Sequence, residues 1–377
     1  MNLLMLSGDS TIAQGYEGAF SQMLSRFCKH WDRIDILCPR APGASARTIY
    51  GNVYIHPSPW HKILQPWFIL RQGRALIAER AYALITSHDF GLFYNGTGAR
   101  WLSRHSGIPY VSEILHVEGY PRAATTRERI YRLAAEYYIR AVRGSAAGFR
   151  VMNRVEMPEF LRRLGVPEEK ILILPAIYMD FDIFHPLPDE TRRFEVLFVG
   201  RLAANKGLFM ILDALALARR ACPSIRLCIL GRGPLRGALE KRITALKLED
   251  AVTLIERLPR PEDVARLYNQ SAMLVCASTA EGGPRVAVEA MACGVPVIST
   301  PVGLMRELII DRQNGLLFHW DARELADKIC LLLADETLRR QMAEAGRQSV
   351  QGFDADSVIA AYAHGYQDLV HRLRGQA

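Results

Sequence analysis

Ala280-Glu281-Gly282-Gly283-Pro284-Arg285-Val286-Ala287-Val288-Glu289-Ala290-Met291-Ala292 is the stretch whose reading decides the fold. Met273 to Ser278 before it and Val295 to Thr300 after it are short apolar runs of the length expected for buried parallel strands. Only one helix fits between them. Pro284 suits a first helical position, where its missing N–H would be unpaired anyway, while Gly282 and Gly283 permit a tight turn. The helix is therefore expected from about Pro284 to Cys293, stopping at Gly294. A strand, a glycine turn and a helix in this order define a parallel α/β unit.

The start of such a helix leaves amide groups without partners and carries roughly half a positive charge, which suits a phosphate. Glu281 precedes that position, and Glu289, one turn further in, leans back toward the N-terminus. Two acceptor-only carboxylates around an anion call for neutral, hydroxyl-rich groups on either side of it. A diphosphate with a sugar at one end and a ribose at the other meets that demand. Glu195 to Val199 reads as another strand, followed by the loop Gly200-Arg201-Leu202-Ala203-Ala204-Asn205-Lys206-Gly207 and a helix from about Leu208 to Arg220. Arg201 and Lys206 thus fall at the carboxyl end of a strand, where open parallel sheets bind ligands. A guanidinium fork and an ammonium together neutralise a diphosphate.

Phe198-Val199-Gly200-Arg201 with Lys206-Gly207, Glu281-Gly282-Gly283-Pro284 and Glu289-Ala290-Met291-Ala292 resemble the retaining glycosyltransferases of family 4. In the same order the chain has Lys170 to Pro175, Phe184-His185-Pro186, Gly231-Arg232-Gly233-Pro234 and Asn314-Gly315-Leu316-Leu317. The resemblance is dense from about residue 165 to 350 and thin before that. It implies an α/β chain of GT-B architecture, with two facing Rossmann-like domains and a C-terminal helix crossing back. The domains implied are 1–186, binding acceptor; 187–355, binding nucleotide sugar; and a helix over 356–377 packing on the first. Within the first domain, strands are expected near 2–6, 34–37, 53–55, 83–86, 110–114 and 148–152.

The resemblance also assigns roles. Arg201 and Lys206 would grip the donor diphosphate, Glu281 the transferred sugar, and Glu289 the nucleotide ribose. Gly200, Gly233, Gly282, Gly283, Pro284, Arg285 and Val286 would complete the donor site, with backbone amides holding phosphate or sugar oxygens. Gly15 resembles the glycine of the first strand-to-helix loop, where bulk would block the donor, and His116 the histidine near the reacting carbon. Two segments depart from the pattern. Ala176-Ile177-Tyr178-Met179-Asp180 stands where Pro-Asn-Gly-Val-Asp is usual, and Val302-Gly303-Leu304-Met305 where a glycine pair is common. Arg285 replaces a residue that is often small or neutral, adding a cation beside the expected diphosphate.

Composition sets bounds. The 377 residues suffice for two cores, and half are hydrophobic, which excludes a disordered chain. No apolar run approaches the roughly 18 to 20 residues that span a bilayer. The start at Met1-Asn2-Leu3-Leu4 reads as a buried strand and not as a secretion signal. Seven scattered cysteines without metal spacing fit a reducing, cytoplasmic setting. Residues 1–150 carry 18 basic against 10 acidic side chains, whereas the rest carries 29 of each, so the whole formal charge of +8 sits in the first domain. There, Arg129, Arg132, Arg140 and Arg143 share a helix face, with Ile130, Leu133, Tyr137 and Ala141 on another. The stretch Trp60 to Arg71 adds aromatics to basic residues. Both suit an anionic membrane surface, where a lipid-linked saccharide acceptor would lie; a merely solvated charged face, with Trp60 and Trp67 in the core, is the alternative reading.

The expected function is transfer of a hexosyl-type sugar from a nucleotide-diphosphate sugar to a hydroxyl acceptor in cell-envelope polysaccharide, lipopolysaccharide or glycolipid synthesis. No cofactor, metal or nucleic-acid partner is expected, and localisation is cytoplasmic, peripheral on the membrane face. Gly231-Arg232-Gly233 is no dinucleotide fingerprint, because Arg236 stands where the third glycine belongs. A sugar-nucleotide epimerase, a catalytically silent nucleotide-sugar binder and a glycoside hydrolase using Glu281 and Glu289 are the alternatives.

Overall fold

A computed structural model describes residues 1–16 and 18–375. The chain forms two compact units, one built from 1–118, 130–176 and the residues from 356 onward, the other from 119–129 and 177–355.

The first unit is a doubly wound sheet of β1 (Asn2–Leu6), β2 (Arg33–Cys38), β3 (Arg47–Ile49), β4 (Val53–Pro57), β5 (Leu84–His88), β6 (Tyr110–Glu113), β7 (Gly148–Val151) and β8 (Ile171–Ile173). Its order is β3-β4-β2-β1-β5-β6-β7-β8, parallel except for the antiparallel β3–β4 pair. The sequence reading anticipated six of these strands; the short edge strands β3 and β8 lack the long apolar run that marks a central strand. From β4 through β7 the chain steps across the sheet in one direction, so right-handed crossovers place the helices Gln65–Glu79, Tyr94–Ser106 and Thr126–Val142 on one face. Ring contacts between Trp67 and Trp101 (4.7 Å) and between Phe93 and Tyr138 (4.5 Å) join that layer. The opposite step from β1 to β2 puts helix Ala19–Phe27 on the other face.

The last helix, Ala355–Gly375, joins that second face of the first unit, with Tyr362 stacked on Phe27 at 4.5 Å. A buried polar cluster fixes it there. Glu113, 5 % exposed at the end of β6, accepts hydrogen bonds from Tyr362 (2.7 Å), Tyr366 and Arg150 (3.1 Å). Arg150 also donates to Pro175 O at 2.8 Å and lies 3.5 Å from the centre of the Tyr362 ring. Burial alone would raise the Glu113 carboxyl; the charges of Arg150 and His88 and the tyrosine hydroxyls outweigh it and hold it low.

The second unit contains β9 (Phe194–Val199), β10 (Leu227–Leu230), β11 (Val252–Ile255), β12 (Ser271–Cys276), β13 (Val297–Ser299) and β14 (Leu316–Leu317). The order is β11-β10-β9-β12-β13-β14 and every pairing is parallel. Leu208, Ile211, Leu212 and Leu215, spaced on one stripe of helix Leu208–Ala218, are buried against Val196, Phe198 and Met273. Each such aliphatic side chain contributes roughly 1.5–3 kcal/mol by leaving water. The strand order reverses direction between β9 and β12, so the loops after these two strands flank a topological switch point.

The chain enters this unit at Ile177, ten residues ahead of the boundary read from the sequence. Met179 N bonds to Phe353 O at 2.7 Å, Asn269 Oδ1 accepts from Leu187 N at 2.7 Å, and Arg285 sits 5.0 Å from the Tyr178 ring centre. These contacts hold the segment that leads into β9. The 119–129 excursion belongs here as well, through Arg122 N on Thr279 O (3.2 Å) and its guanidinium over Trp320 (5.6 Å).

The Glu113 cluster makes a direct prediction. Arg150→Met leaves a buried carboxylate without its cation and is expected to destabilise the first unit by about 3–5 kcal/mol, whereas Arg162→Met, at an exposed, solvent-screened pair with Glu168, is expected to leave stability nearly unchanged. Urea unfolding of both variants checks this; equal midpoints would contradict it.

Candidate active site

The loops after β9 and β12 carry most of the residues singled out in the sequence. After β9, Gly200 leads into Arg201 and a single 3-10 turn, Ala204–Lys206, and Gly207 then opens the next helix in a left-handed conformation (φ 66°). A Cβ on Gly207 would run into Ala277 O, so this residue must be glycine for the two loops to touch. Thr279 N on Asn205 O (2.8 Å) and Asn205 Nδ2 on Ala280 O (3.3 Å) complete the contact. The result is that Lys206 forms an ion pair with Glu281, each side chain being 18 % exposed. Ser278 Oγ donates to the same Glu281 oxygen at 3.1 Å. Arg201 is exposed, and no side chain among the described residues pairs with it.

After β12 the chain makes the turn Glu281-Gly282-Gly283 and enters helix Arg285–Ala292. Pro284 caps this helix in extended conformation (φ −70°, ψ 101°) and does not occupy its first turn, which corrects the expected start by one residue. Ala287 N bonds to Pro284 O at 2.9 Å, and the amides of Arg285 and Val286 have no partner inside the helix. The turn rests on the loop after β13. Leu304 N donates to Gly282 O at 2.9 Å, and Gly303, at φ 50°, faces the carbonyls of Glu281 and Gly282, which any Cβ would strike. The departure at Val302-Gly303-Leu304 thus supplies one glycine where the turn requires it.

Glu289, 12 % exposed, accepts from Tyr268 Oη at 2.8 Å and from Arg285 Nε at 3.1 Å. Burial pushes its carboxyl above the usual range, opposed by Arg285 and Tyr268. This revises the expectation for Arg285: its charge is engaged by Glu289 and by the Tyr178 ring and is not held out as an additional cation. Tyr268 was not singled out in the sequence, since it comes from helix Pro261–Asn269 and only tertiary packing brings it to Glu289. Trp320, whose indole N–H donates to Ser278 O at 2.9 Å, was likewise missed.

Gly233 lies in the turn after β10, where a Cβ would come within 2.5 Å of Leu202 O. With Leu202 N on Arg232 O (3.0 Å) and Leu235 N on Leu202 O (3.1 Å), this turn is locked to the Arg201 loop through backbone. Among the described residues, no group of three or more histidine, cysteine, aspartate or glutamate side chains has the arrangement of a metal site.

Gly15 and His116 belong to the first unit. Gly15 ends the short helix Thr11–Gln14 after β1 in a left-handed conformation (φ 84°), and a Cβ there would meet the Arg47 guanidinium. His116 is half-buried and follows β6, three residues beyond Glu113. Just past the end of β5 in the same unit, Asp89 is 2 % exposed and accepts from Ser87 (2.6 Å), Tyr138 (3.0 Å) and Ser112. Burial outweighs these donors and pushes its carboxyl up to about 7.

Residues 180–349 match the family model described as glycosyl transferases group 1. The chain is 31 % identical over 304 residues to the alpha-D-kanosaminyltransferase of Streptomyces kanamyceticus, covering 76 % of each chain. It is 31 % identical over 229 residues to the D-inositol 3-phosphate glycosyltransferase of Segniliparus rotundus, covering 56 % of this chain and half of that one. In fold it is similar to HepE of Anabaena, whose structure was solved in complex with UDP-glucose. The TM-score is 0.76 at 19 % identity, over 98 % of this chain and all of that one. The two sheets are those of a GT-B glycosyltransferase. This chain belongs to the glycosyl transferases of group 1.

Proposed function

We propose that this chain transfers a sugar from a nucleotide-diphosphate sugar to a hydroxyl of a saccharide or lipid-linked saccharide, with retention at the anomeric carbon and without a metal ion. The observation that carries the reading is the Lys206–Glu281 pair beside unpaired helix amides at the switch point of the second sheet. A cation, an acid and a turn with free helix amides meet in one loop contact, which supports the reading. That HepE of Anabaena was solved with UDP-glucose supports a donor of this class for a fold of this kind.

In the proposed reaction the bond between the anomeric carbon and the diphosphate oxygen breaks as the acceptor oxygen bonds to the same face of the sugar. The acceptor's proton passes to the departing phosphate oxygen. Arg201, Lys206 and the amides of Arg285 and Val286 stabilise the charge gathering on the diphosphate. The positive charge of Arg201 and Lys206 serves where another site would use a metal ion. Glu281 orients hydroxyls of the transferred sugar, Glu289 the ribose, and Gly200, Gly233, Gly282 and Gly283 keep side chains out of the donor's path. In the first unit, His116 and Gly15 are the residues proposed to act in the reaction.

The acceptor side is read from the outer helical layer of the first unit. On helix Thr126–Val142, Ile130 (56 %), Leu133 (65 %) and Tyr137 (77 %) stand exposed along one stripe. Trp67 (55 %) and Ile63 (59 %) project from the same layer. An apolar stripe in water beside Arg140 and Arg143 suits the interface of an anionic membrane. No helix among the described residues is long and apolar enough to cross a membrane.

Lys206→Ala is expected to lower transfer by about 100-fold or more, consistent with loss of one charge-stabilising group; nucleoside diphosphate release in the presence of acceptor measures it, and near-parental turnover would sink the assignment. For the membrane contact, Leu133→Glu/Tyr137→Glu is expected to lose cosedimentation with phosphatidylglycerol vesicles while keeping the parental melting curve. Undiminished vesicle binding would refute it.

A further inference from the structure

A cavity of about 640 Å3 lies within the first unit, at the carboxyl ends of β2 and β4 and against the first turns of helix Gln65–Glu79. Its chemistry is set by Arg40, His56, Ser58, Trp60, Arg71 and Gln72, and no carboxylate lines it. The stretch from Trp60 to Arg71 therefore divides. Trp67 points outward to solvent, whereas Trp60 and Phe68 turn inward, their rings 6.3 Å apart and edge to face. Arg71 lies 5.6 Å from the Trp60 ring centre.

The imidazole is held from behind. Asp35, fully buried on β2, accepts from His56 Nε2 at 2.8 Å, from Arg33 at 2.6 and 3.0 Å and from Tyr82 at 2.6 Å. Burial would raise the Asp35 carboxyl, but these donors outweigh it and keep it ionised. An ionised acceptor at Nε2 requires the proton on that nitrogen and leaves Nδ1 for another partner. Arg33 is spent on Asp35 and stacks on Tyr54 at 3.4 Å, so it is no part of the cavity's charge. Arg40 and Arg71 are different: both are exposed, and neither has an acidic partner among the described residues.

An indole face takes the apolar face of a sugar ring, an oriented imidazole and a carboxamide take hydroxyls, and two guanidinium forks take an oxyanion. We propose that this cavity binds an anionic saccharide, a sugar unit bearing a carboxylate or a phosphate. Given the transfer reading above, on which this step rests, that unit is part of the acceptor. The site then selects acidic glycans over neutral ones through Arg40 and Arg71, independently of the donor site in the second unit.

The test is calorimetric titration of the full chain with a glucuronate-containing disaccharide, its neutral glucose counterpart, glucose 6-phosphate and inorganic phosphate. At least one of the two acidic sugars is expected to bind saturably, tenfold or more tightly than both the neutral disaccharide and inorganic phosphate. Which of them does so separates a carboxylate from a phosphate ligand. Arg40→Gln/Arg71→Gln is expected to weaken that binding tenfold or more, and Trp60→Ala to weaken it as well, with UDP affinity unchanged in the arginine variant. Equal binding of acidic and neutral sugars, inorganic phosphate binding as tightly as the sugars, parental binding by the arginine variant, or no binding at all would overturn the proposal. Transfer that depends on Lys206 but ignores Arg71 would remove this site and leave the transfer reading. Arg71-dependent binding without transfer to any acceptor would do the reverse.

Discussion

The loop contact that pairs Lys206 with Glu281 is the constraint on which the rest of the candidate site depends. Two strands adjacent in the second sheet but far apart in sequence deliver a cation and an acid to one place. The backbone can come that close only because Gly207 has no Cβ to meet Ala277 O and Gly303 none to meet the carbonyls of Glu281 and Gly282. Each of these two charges is compensated by the other. In the proposed reaction the diphosphate competes with Glu281 for Lys206, and the released carboxylate becomes available to sugar hydroxyls. A donor thus exchanges one ion pair for another, which limits the net cost of desolvating the cation.

Ionic clusters of a different kind organise the first unit. Glu113 and Arg150 are almost wholly buried, and with Tyr362 and Tyr366 they tie the last helix to strands laid down some 250 residues earlier, Tyr366 being 253 positions from Glu113. Asp35 gathers Arg33, His56 and Tyr82 on the other half of the same sheet. The first cluster is structural by position, since both partners are inaccessible. The second differs in that His56 also lines a cavity. The outer helical layer of this unit leaves Leu133 and Tyr137 exposed.

Legibility in the sequence followed locality. The central strands, the turn at 281–283 and the helix after it could be read because apolar run length, glycine and proline act over a few residues, and the error at Pro284 was one position. The edge strands β3 and β8, three residues each, carry no such run. Charge proximity could not be read: that Arg285 is engaged by Glu289 and Tyr178, or that Tyr268 reaches Glu289, depends on how helices pack. The periodicity of Ile130, Leu133 and Tyr137 was visible, yet it marks an exposed stripe, because Ala135, Tyr138, Ile139 and Val142 fill the buried side. Arg40, His56, Trp60 and Arg71 are spread over 32 residues of chain and two strand ends, so nothing in their spacing announces a cavity.

The central claim, that Lys206 leaves Glu281 for a donor diphosphate, is tested most directly by measuring UDP affinity and sugar transfer together in Glu281→Gln. With the competing carboxylate removed, UDP alone is predicted to bind several-fold more tightly than to the parent, while transfer falls by about 100-fold or more for want of the acid that orients the sugar. Unchanged or weaker UDP binding, or transfer near the parental rate, would contradict the account.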